Sequence, residues 1–260
     1  PGSFLMGSSK KDPTRLPDEK EHQVTLTKPF FMQSTEVTVG QFTQFVKATG
    51  YRTESETGGG CWISAKGTGW KKKRGSSWRK PGYGEINESF DNRLPVNCVT
   101  WNDAQAFIRW LSRKEGKTYR MPTEAQWEYA GRAGTNTPFS YGNCLSTDQA
   151  NYDELGRYFS TCKGVFRVSR QKPIEVGSLA PNPWKLFNMH GNVSEWCRDW
   201  YGSYPGKTVT NPQGPSSGKE RVMRGGHWRA DAQECRSAKR WRFPPNIASD
   251  AVGFRLVMIP

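Results

Sequence analysis

The sequence predicts one mixed α+β domain with small antiparallel sheets, few helices and much irregular chain. Three observations carry that reading. Apolar residues make up only 34% of the 260 residues, while 27 Gly, 17 Pro and 11 Trp call for many turns, with large aromatics as the burying groups. Helical periodicity with start and stop signals occurs in just three places. Strand-like runs are brief and lie between long Gly/Pro/Asn/Ser stretches, with no internal repeat or linker to divide residues 1–260. Loops of that length in one domain need something to hold them, such as a bound ion or a functional role.

In chain order, His22 to Leu26 and Phe30 to Met32 read as strands. Thr38-Val-Gly-Gln is a capping box, in which the Thr hydroxyl and the Gln side chain satisfy each other's backbone N–H groups. Phe42, Phe45 and Val46 then share one face, and Gly50 stops the helix, giving a helix over 39–49. A second helix follows Thr100, with Ala104, Phe107, Ile108 and Leu111 at i, i+3, i+4, i+7 spacing and Gly116 beyond its end. Thr123 and Gln126 open a short third helix through Trp127 and Tyr129 towards Gly131. Arg221 to Met223 and Phe254 to Met258 read as the last strands.

No run of about 18 apolar residues occurs, so no membrane-spanning helix is expected. The formal charge of +14 favours anionic partners. Much of it lies in Trp70-Lys-Lys-Lys-Arg-Gly-Ser-Ser-Trp-Arg-Lys, where six basic residues and two Trp could hold nucleic acid or another polyanion. Its Gly- and Pro-rich flanks favour the plainer reading of a solvated surface loop. Six cysteines form no C-x-x-C pair, which argues against a zinc ribbon or thioredoxin-type site. Cys144 and Cys162 bracket one loop-like stretch and are the first disulfide to test. Cys98, in the apolar run Leu94-Pro-Val-Asn-Cys-Val, reads as a buried free thiol. The chain opens at Pro1-Gly-Ser with no initiator Met and no signal peptide, so any targeting segment has been removed or lies upstream, and the compartment is not legible.

Several segments taken together are more specific. They are Pro1-Gly-Ser-Phe-Leu-Met-Gly, Glu36-Val-Thr, Pro95-Val-Asn-Cys-Val-Thr-Trp, Arg120-Met-Pro-Thr-Glu-Ala-Gln-Trp-Glu-Tyr-Ala, Asn188-Met-His-Gly-Asn-Val-Ser-Glu-Trp, Arg224-Gly-Gly-His-Trp and Gly253-Phe-Arg. In this order, over the whole chain, they resemble the formylglycine-generating enzyme (sulfatase-modifying factor) family. The resemblance implies a C-type-lectin-like fold with little regular secondary structure. It also implies, for active members, oxidation of a substrate cysteine by two cysteines that follow the Gly-Gly, with copper in bacterial enzymes. Two nearby thiolates suit soft Cu(I) and can exchange with a substrate thiol.

Here that segment reads Gly226-His-Trp-Arg-Ala-Asp-Ala-Gln-Glu-Cys-Arg-Ser-Ala. The first catalytic position falls near Ala230 and the second in the Ala230 to Ala232 stretch, with Cys235 outside both. Neither copper nor formylglycine-generating activity is expected. Cys235 has no assignable base and reads as a structural thiol. His22, His190 and His227 form no metal-ligand pattern, and His227 reads as a structural hydrogen-bonding group standing where the family commonly has a small hydroxyl residue.

The resemblance further implies a Ca²⁺ held by Asn188, Gly191, Val193 and Glu195, the hard oxygen donors of one tight turn. A second site at Asn151 and Tyr152 is disfavoured because Lys163-Gly164 stands where an Asp-Gly is expected. The sequon Asn192-Val-Ser lies inside the first motif and reads as coincidence.

With thiol chemistry removed, the C-terminal segment within 221–260 still offers Trp228, Arg229, Ala230, Asp231, Gln233, Lys239, Trp241, Arg242 and Phe243, a set rich in the residues that dominate binding hot spots. Trp228, Trp241 and Arg236 read equally as core; Arg229, Asp231, Gln233, Arg242 and Phe243 are expected to be exposed. The leading reading is a non-catalytic protein that recognises a macromolecule, a protein by preference, through this segment. It resembles in position the variable proteins of diversity-generating retroelements. The alternatives are a divergent oxidase of the family and polyanion binding through residues 70–80.

Overall fold

The three sequence-read helices form where their caps place them. In the computed structural model, which describes all residues except 66–68, 87–90, 154–161 and 163–167, α1 spans Val39–Thr49, α3 Trp101–Glu115 and α4 Glu124–Arg132. Each begins with a reciprocal capping box, at Thr38/Gln41, Thr100/Asp103 and Thr123/Gln126. Gly50 and Gly116 close α1 and α3 in the left-handed conformation (φ 66° and 63°). A one-turn helix, α2 (Glu54–Thr57), starts on its own capping box at Thr53.

Among the described residues, twelve short strands, whose ranges follow, arrange as four small sheets: β1-β2-β8, β10-β9-β7-β11, β3-β12-β6 and the hairpin β4-β5. Here β1 is Gly2–Met6, β2 His22–Leu26, β3 Phe31–Met32, β4 Cys61–Ala65, β5 Gly69–Lys73 and β6 Thr118–Arg120. The later strands are β7 (Ser194–Trp200), β8 (Val209–Thr210), β9 (Arg221–Arg224), β10 (Trp241–Phe243), β11 (Val252–Gly253) and β12 (Val257–Ile259). Most pairings are antiparallel as expected, but β7–β11 and β2–β8 are parallel. Phe254 to Met258 is not one strand: the chain leaves β11 after Gly253 and pairs again only from Val257. No helix among the described residues is long and apolar enough to cross a membrane.

The core is aromatic. Phe42, Phe45 and Phe107 pack on Trp78 and Phe254 with ring centroids 5.2–5.8 Å apart, joining α1 and α3 to the end of the chain. Two sequence readings fail here. Cys98 is not a free thiol: it is buried in a disulfide with Cys61, so its apolar surroundings reflect a cross-link that fastens the β4–β5 hairpin to the core. Nor is the Trp70 stretch wholly a loop, since β5 pairs residue by residue with β4 from Cys61↔Lys73 to Ala65↔Gly69. The Cys144–Cys162 disulfide forms.

Buried ion pairs hold the irregular chain. Arg236 is fully buried and donates to both oxygens of Glu19 at 2.8 Å. Arg224 reaches Glu124 (2.7 Å) and Glu128 (2.6 Å), Arg240 grips both oxygens of Glu124, and Arg255 both oxygens of Glu195. Burial alone would raise Glu124 and Glu128, but the facing arginines overrule it and hold both carboxyls below the ordinary range. Removing either partner of such a pair strands a buried charge, at about 3–5 kcal/mol.

Candidate functional site

The C-terminal segment leaves β9 through Gly225 and Gly226, both left-handed (φ 99° and 72°). A Cβ at Gly226 would stand 2.5 Å from Cys235 Sγ and 2.9 Å from the Glu234 carbonyl, so only glycine lets the segment fold back on itself. The return is a 3-10 turn, Ala232–Cys235, capped by Asp231, whose carboxylate accepts the Glu234 N–H at 3.1 Å.

That fold-back decides the fate of the thiol. Cys235 is completely buried among Phe139, Leu145, Ala150, Tyr152, Ala230 and Ala232. Burial, then the Asp231 and Glu234 charges, push its pKa well above the ordinary thiol value, so it offers no thiolate. Cys197, the other free cysteine among the described residues, is likewise buried with a raised pKa. His190 is buried as well: its Nδ1 bonds the Cys235 carbonyl at 2.8 Å, its Nε2 meets Ser140, and burial lowers its pKa to about 4. It is a neutral strut under the segment.

The structure splits the predicted binding residues between two places. Trp228 (2% exposed) and Ala230 lie in the interior. The Trp228 indole donates to the Asp250 carbonyl at 3.2 Å and stands edge-on to Tyr83. Lys239 is buried too, paired with Glu234 at 2.9 Å. Arg229, Asp231 and Gln233 are half-buried beside them. Trp241 (42% exposed) and Arg242 project from β10, and Phe243 is half-buried there. Arg242 stacks 4.2 Å over Tyr201 and pairs with Glu220 at 2.9 Å, while the Lys239 ammonium sits 4.8 Å over the Trp241 ring.

Sequence reasoning missed the neighbours. Trp70, on the basic hairpin, meets His227 edge-on with centroids 5.6 Å apart, so a stretch read as a separate feature stands against the C-terminal segment. Tyr201 and Glu220, which frame Arg242, carried no signal.

The turn expected to hold calcium is formed by Asn188 (φ 56°), Gly191 (φ 83°) and Asn192 (φ 65°), leading through Val193 into β7 with Glu195. Glu36 joins it, accepting from Asn188 at 3.0 Å and Asn192 at 2.8 Å. Burial raises Glu36 to about 7, Arg255 opposing and Glu195 assisting. Two buried carboxylates thus face one guanidinium, an excess of negative charge among oxygen donors that fits a hard cation. Glu195 is heavily used: Oε2 accepts from Arg255 and Trp127, Oε1 from Arg255 alone, which leaves Oε1 one acceptor position. No group of three or more His, Cys, Asp or Glu among the described residues is arranged to hold a metal. Lys163 and Gly164, which bear on the second calcium motif, lie outside the described residues. Asn192 of the sequon is fully buried.

Comparison with known proteins places this geometry. The sulfatase-modifying factor enzyme 1-like domain matches residues 1–259. The formylglycine-generating enzyme of Mus musculus is 31% identical over 98% of this chain and 72% of its own length. The structure of PvdO from Pseudomonas aeruginosa superposes with a TM-score of 0.78 at 30% identity, covering 100% of this chain and 92% of that one. Treponema denticola variable protein 1 superposes with a TM-score of 0.72 at 24% identity over 100% and 94% of the two chains, a likeness of fold.

Proposed function

This chain belongs to the sulfatase-modifying factor enzyme family, and from that membership we propose that it is a binding module on the family's lectin-like scaffold, not a thiol oxidase. It recognises a macromolecular ligand, a protein by preference, through the accessible part of its C-terminal segment: Arg229, Asp231, Gln233, Trp241, Arg242 and Phe243. The observation that carries this reading is the fate of the segment's one cysteine. Ala230 stands where the first reactive cysteine is expected, and Cys235 is buried beneath it with its thiol held protonated. A redox pair needs two accessible sulfurs; an exposed Trp-Arg pair on a sheet edge is instead the composition of a binding hot spot.

The test has two arms. With copper supplied, a cysteine-containing substrate peptide should yield no aldehyde by mass spectrometry. Trp241→Ala and Arg242→Ala should weaken capture of the cognate partner without changing the melting temperature. Aldehyde formation would sink the proposal. Membership of the variable-protein class would show as near-identical gene copies differing only within 227–243 beside a reverse transcriptase gene.

A second reading, a divergent oxidase, draws support from the 31% identity to a formylglycine-generating enzyme over nearly the whole chain. It requires oxygen consumption with a thiol or catechol substrate by protein carrying stoichiometric copper or iron. Calcium at Asn188, Gly191, Val193 and Glu195 is part of the main proposal: CaCl₂ added after chelation should raise the melting temperature saturably, and an unchanged melting curve removes it.

A further inference from the structure

Three arginines from separate strands gather beside the exposed end of the C-terminal segment: Arg120 of β6, Arg198 of β7 and Arg221 of β9. The β7–β9 register sets Trp200 opposite Arg221. The Arg221 guanidinium lies between two indoles, 3.4 Å from the Trp200 ring centroid and 3.9 Å from that of Trp101. Trp101 is fixed in turn by its own N–H, which donates to the Cys197 carbonyl at 2.9 Å. One terminal nitrogen of Arg221 donates to the Arg198 carbonyl at 2.6 Å, and the other has no partner among the described residues. Among the described residues the Arg120 guanidinium makes only a long 3.5 Å contact with Gln126, and Arg198 is exposed.

What sets this group apart is the missing counter-charge. Among the described residues, none of the three forms an ion pair. Asp199 turns inward to accept the Glu124 N–H at 2.9 Å, and Glu220 is taken by Arg242. Burial lowers both Arg120 and Arg221, the latter to about 10; Arg198 lowers both further, and Asp199, which neither contacts, opposes the shift from a distance. Like charges held together at a half-buried surface are unfavourable unless an anion comes to them from solution.

We propose that Arg120, Arg198 and Arg221 form a binding site for an oxyanion group, a sulfate, phosphate or carboxylate, carried by the ligand. The two tryptophans hold the Arg221 fork flat before the ligand arrives, so little side-chain freedom is lost on binding. Guanidinium edges pair with oxyanions through parallel N–H···O bonds, which an ammonium cannot reproduce. The exposed Arg198 supplies a movable second contact. The site does not depend on the binding function of Trp241 and Arg242, although Phe243 pairs with Arg221 across β10 and β9 and brings the two surfaces side by side.

Titration of the intact chain with sodium sulfate, phosphate or acetate, chloride holding the ionic strength constant, tests it by calorimetry and by tryptophan fluorescence. Saturable binding is expected for at least one oxyanion, with a fluorescence change from Trp101 and Trp200. The order of sulfate, phosphate and acetate identifies the group the site prefers. Arg198→Gln, at an exposed position, should weaken binding at least tenfold while leaving the melting temperature alone. Arg221→Lys, which keeps the charge and loses the flat fork, should weaken it comparably, with near-UV circular dichroism checking its fold. Trp241→Ala should leave oxyanion affinity unchanged, which separates this site from the macromolecular reading. Responses no different from chloride, or equal affinity in both arginine variants, overturn the proposal.

Discussion

Two sets of arginines in this molecule live under opposite electrostatic rules, and two of their members, Arg221 and Arg224, share strand β9. Arg224, Arg236, Arg240 and Arg255 are buried, and each is clasped by a carboxylate. Arg120, Arg198 and Arg221 sit at the surface with aromatic or amide neighbours and no carboxylate partner among the described residues. Since a buried guanidinium left unpaired would destabilise the fold, pairing marks the first set as scaffold. Its absence marks the second as positions whose charge is directed outward.

The sharpest way to break this contrast is to unpair the scaffold. Arg236→Ala should cost about 3–5 kcal/mol in chemical denaturation, because Glu19 is left buried without its cation. A loss under about 1 kcal/mol would mean that pairing does not identify scaffold.

A pH titration probes the intermediate case, a buried carboxylate without a guanidinium partner. Asp199 is raised to about 7 by burial and then by Glu124, above its value in an unfolded chain of about 3.9. The folded state therefore holds the proton more tightly. The stabilisation is present in full below about pH 4 and disappears as the pH climbs to about 7, at no more than about 1.4 kcal/mol per pH unit. Denaturation across that window should show the decline, and Asp199→Asn should flatten it; an unchanged profile in the variant refutes the assignment.

Smaller effects separate the two tryptophans of the segment. Trp241→Ala should reduce partner affinity by about 2 kcal/mol, as loss of an interface anchor does, with stability nearly unchanged, whereas Trp228→Ala should unfold the segment. Last, Arg198→Gln should alter stability by less than about 0.5 kcal/mol. A clear loss there would show that Arg198 belongs with the scaffold.

The helices were legible because their signals are local: Thr38/Gln41, Thr100/Asp103 and Thr123/Gln126 each carry a complete cap within four residues. Strands such as β7 were not, since Ser194–Trp200 is buried on both faces over most of its length and shows no alternation. Cys98 misled because an apolar run looks alike around a free thiol and around a disulfide, and Cys61 lies 37 residues away. The C-terminal segment was found by composition, yet composition cannot tell Trp228 from Trp241, whose difference arises from the fold-back at Gly226. The arginine group was invisible: residues 120, 198 and 221 come together through the β7–β9 pairing and the Arg198 N–H bond to the Pro122 carbonyl, two residues after Arg120.

The arginine clasps have a further consequence for how this stretch tolerates change. Arg224, Arg236 and Arg240 anchor it to carboxylates at positions 19, 124 and 128, so its course is set by a few interior residues distributed among the accessible ones. Instructions for folding and instructions for contact are written in alternate letters of one line. A library randomised at Arg229, Gln233, Trp241 and Arg242, with the clasps and Gly226 kept, should yield mostly folded members, each presenting a different face on the same frame.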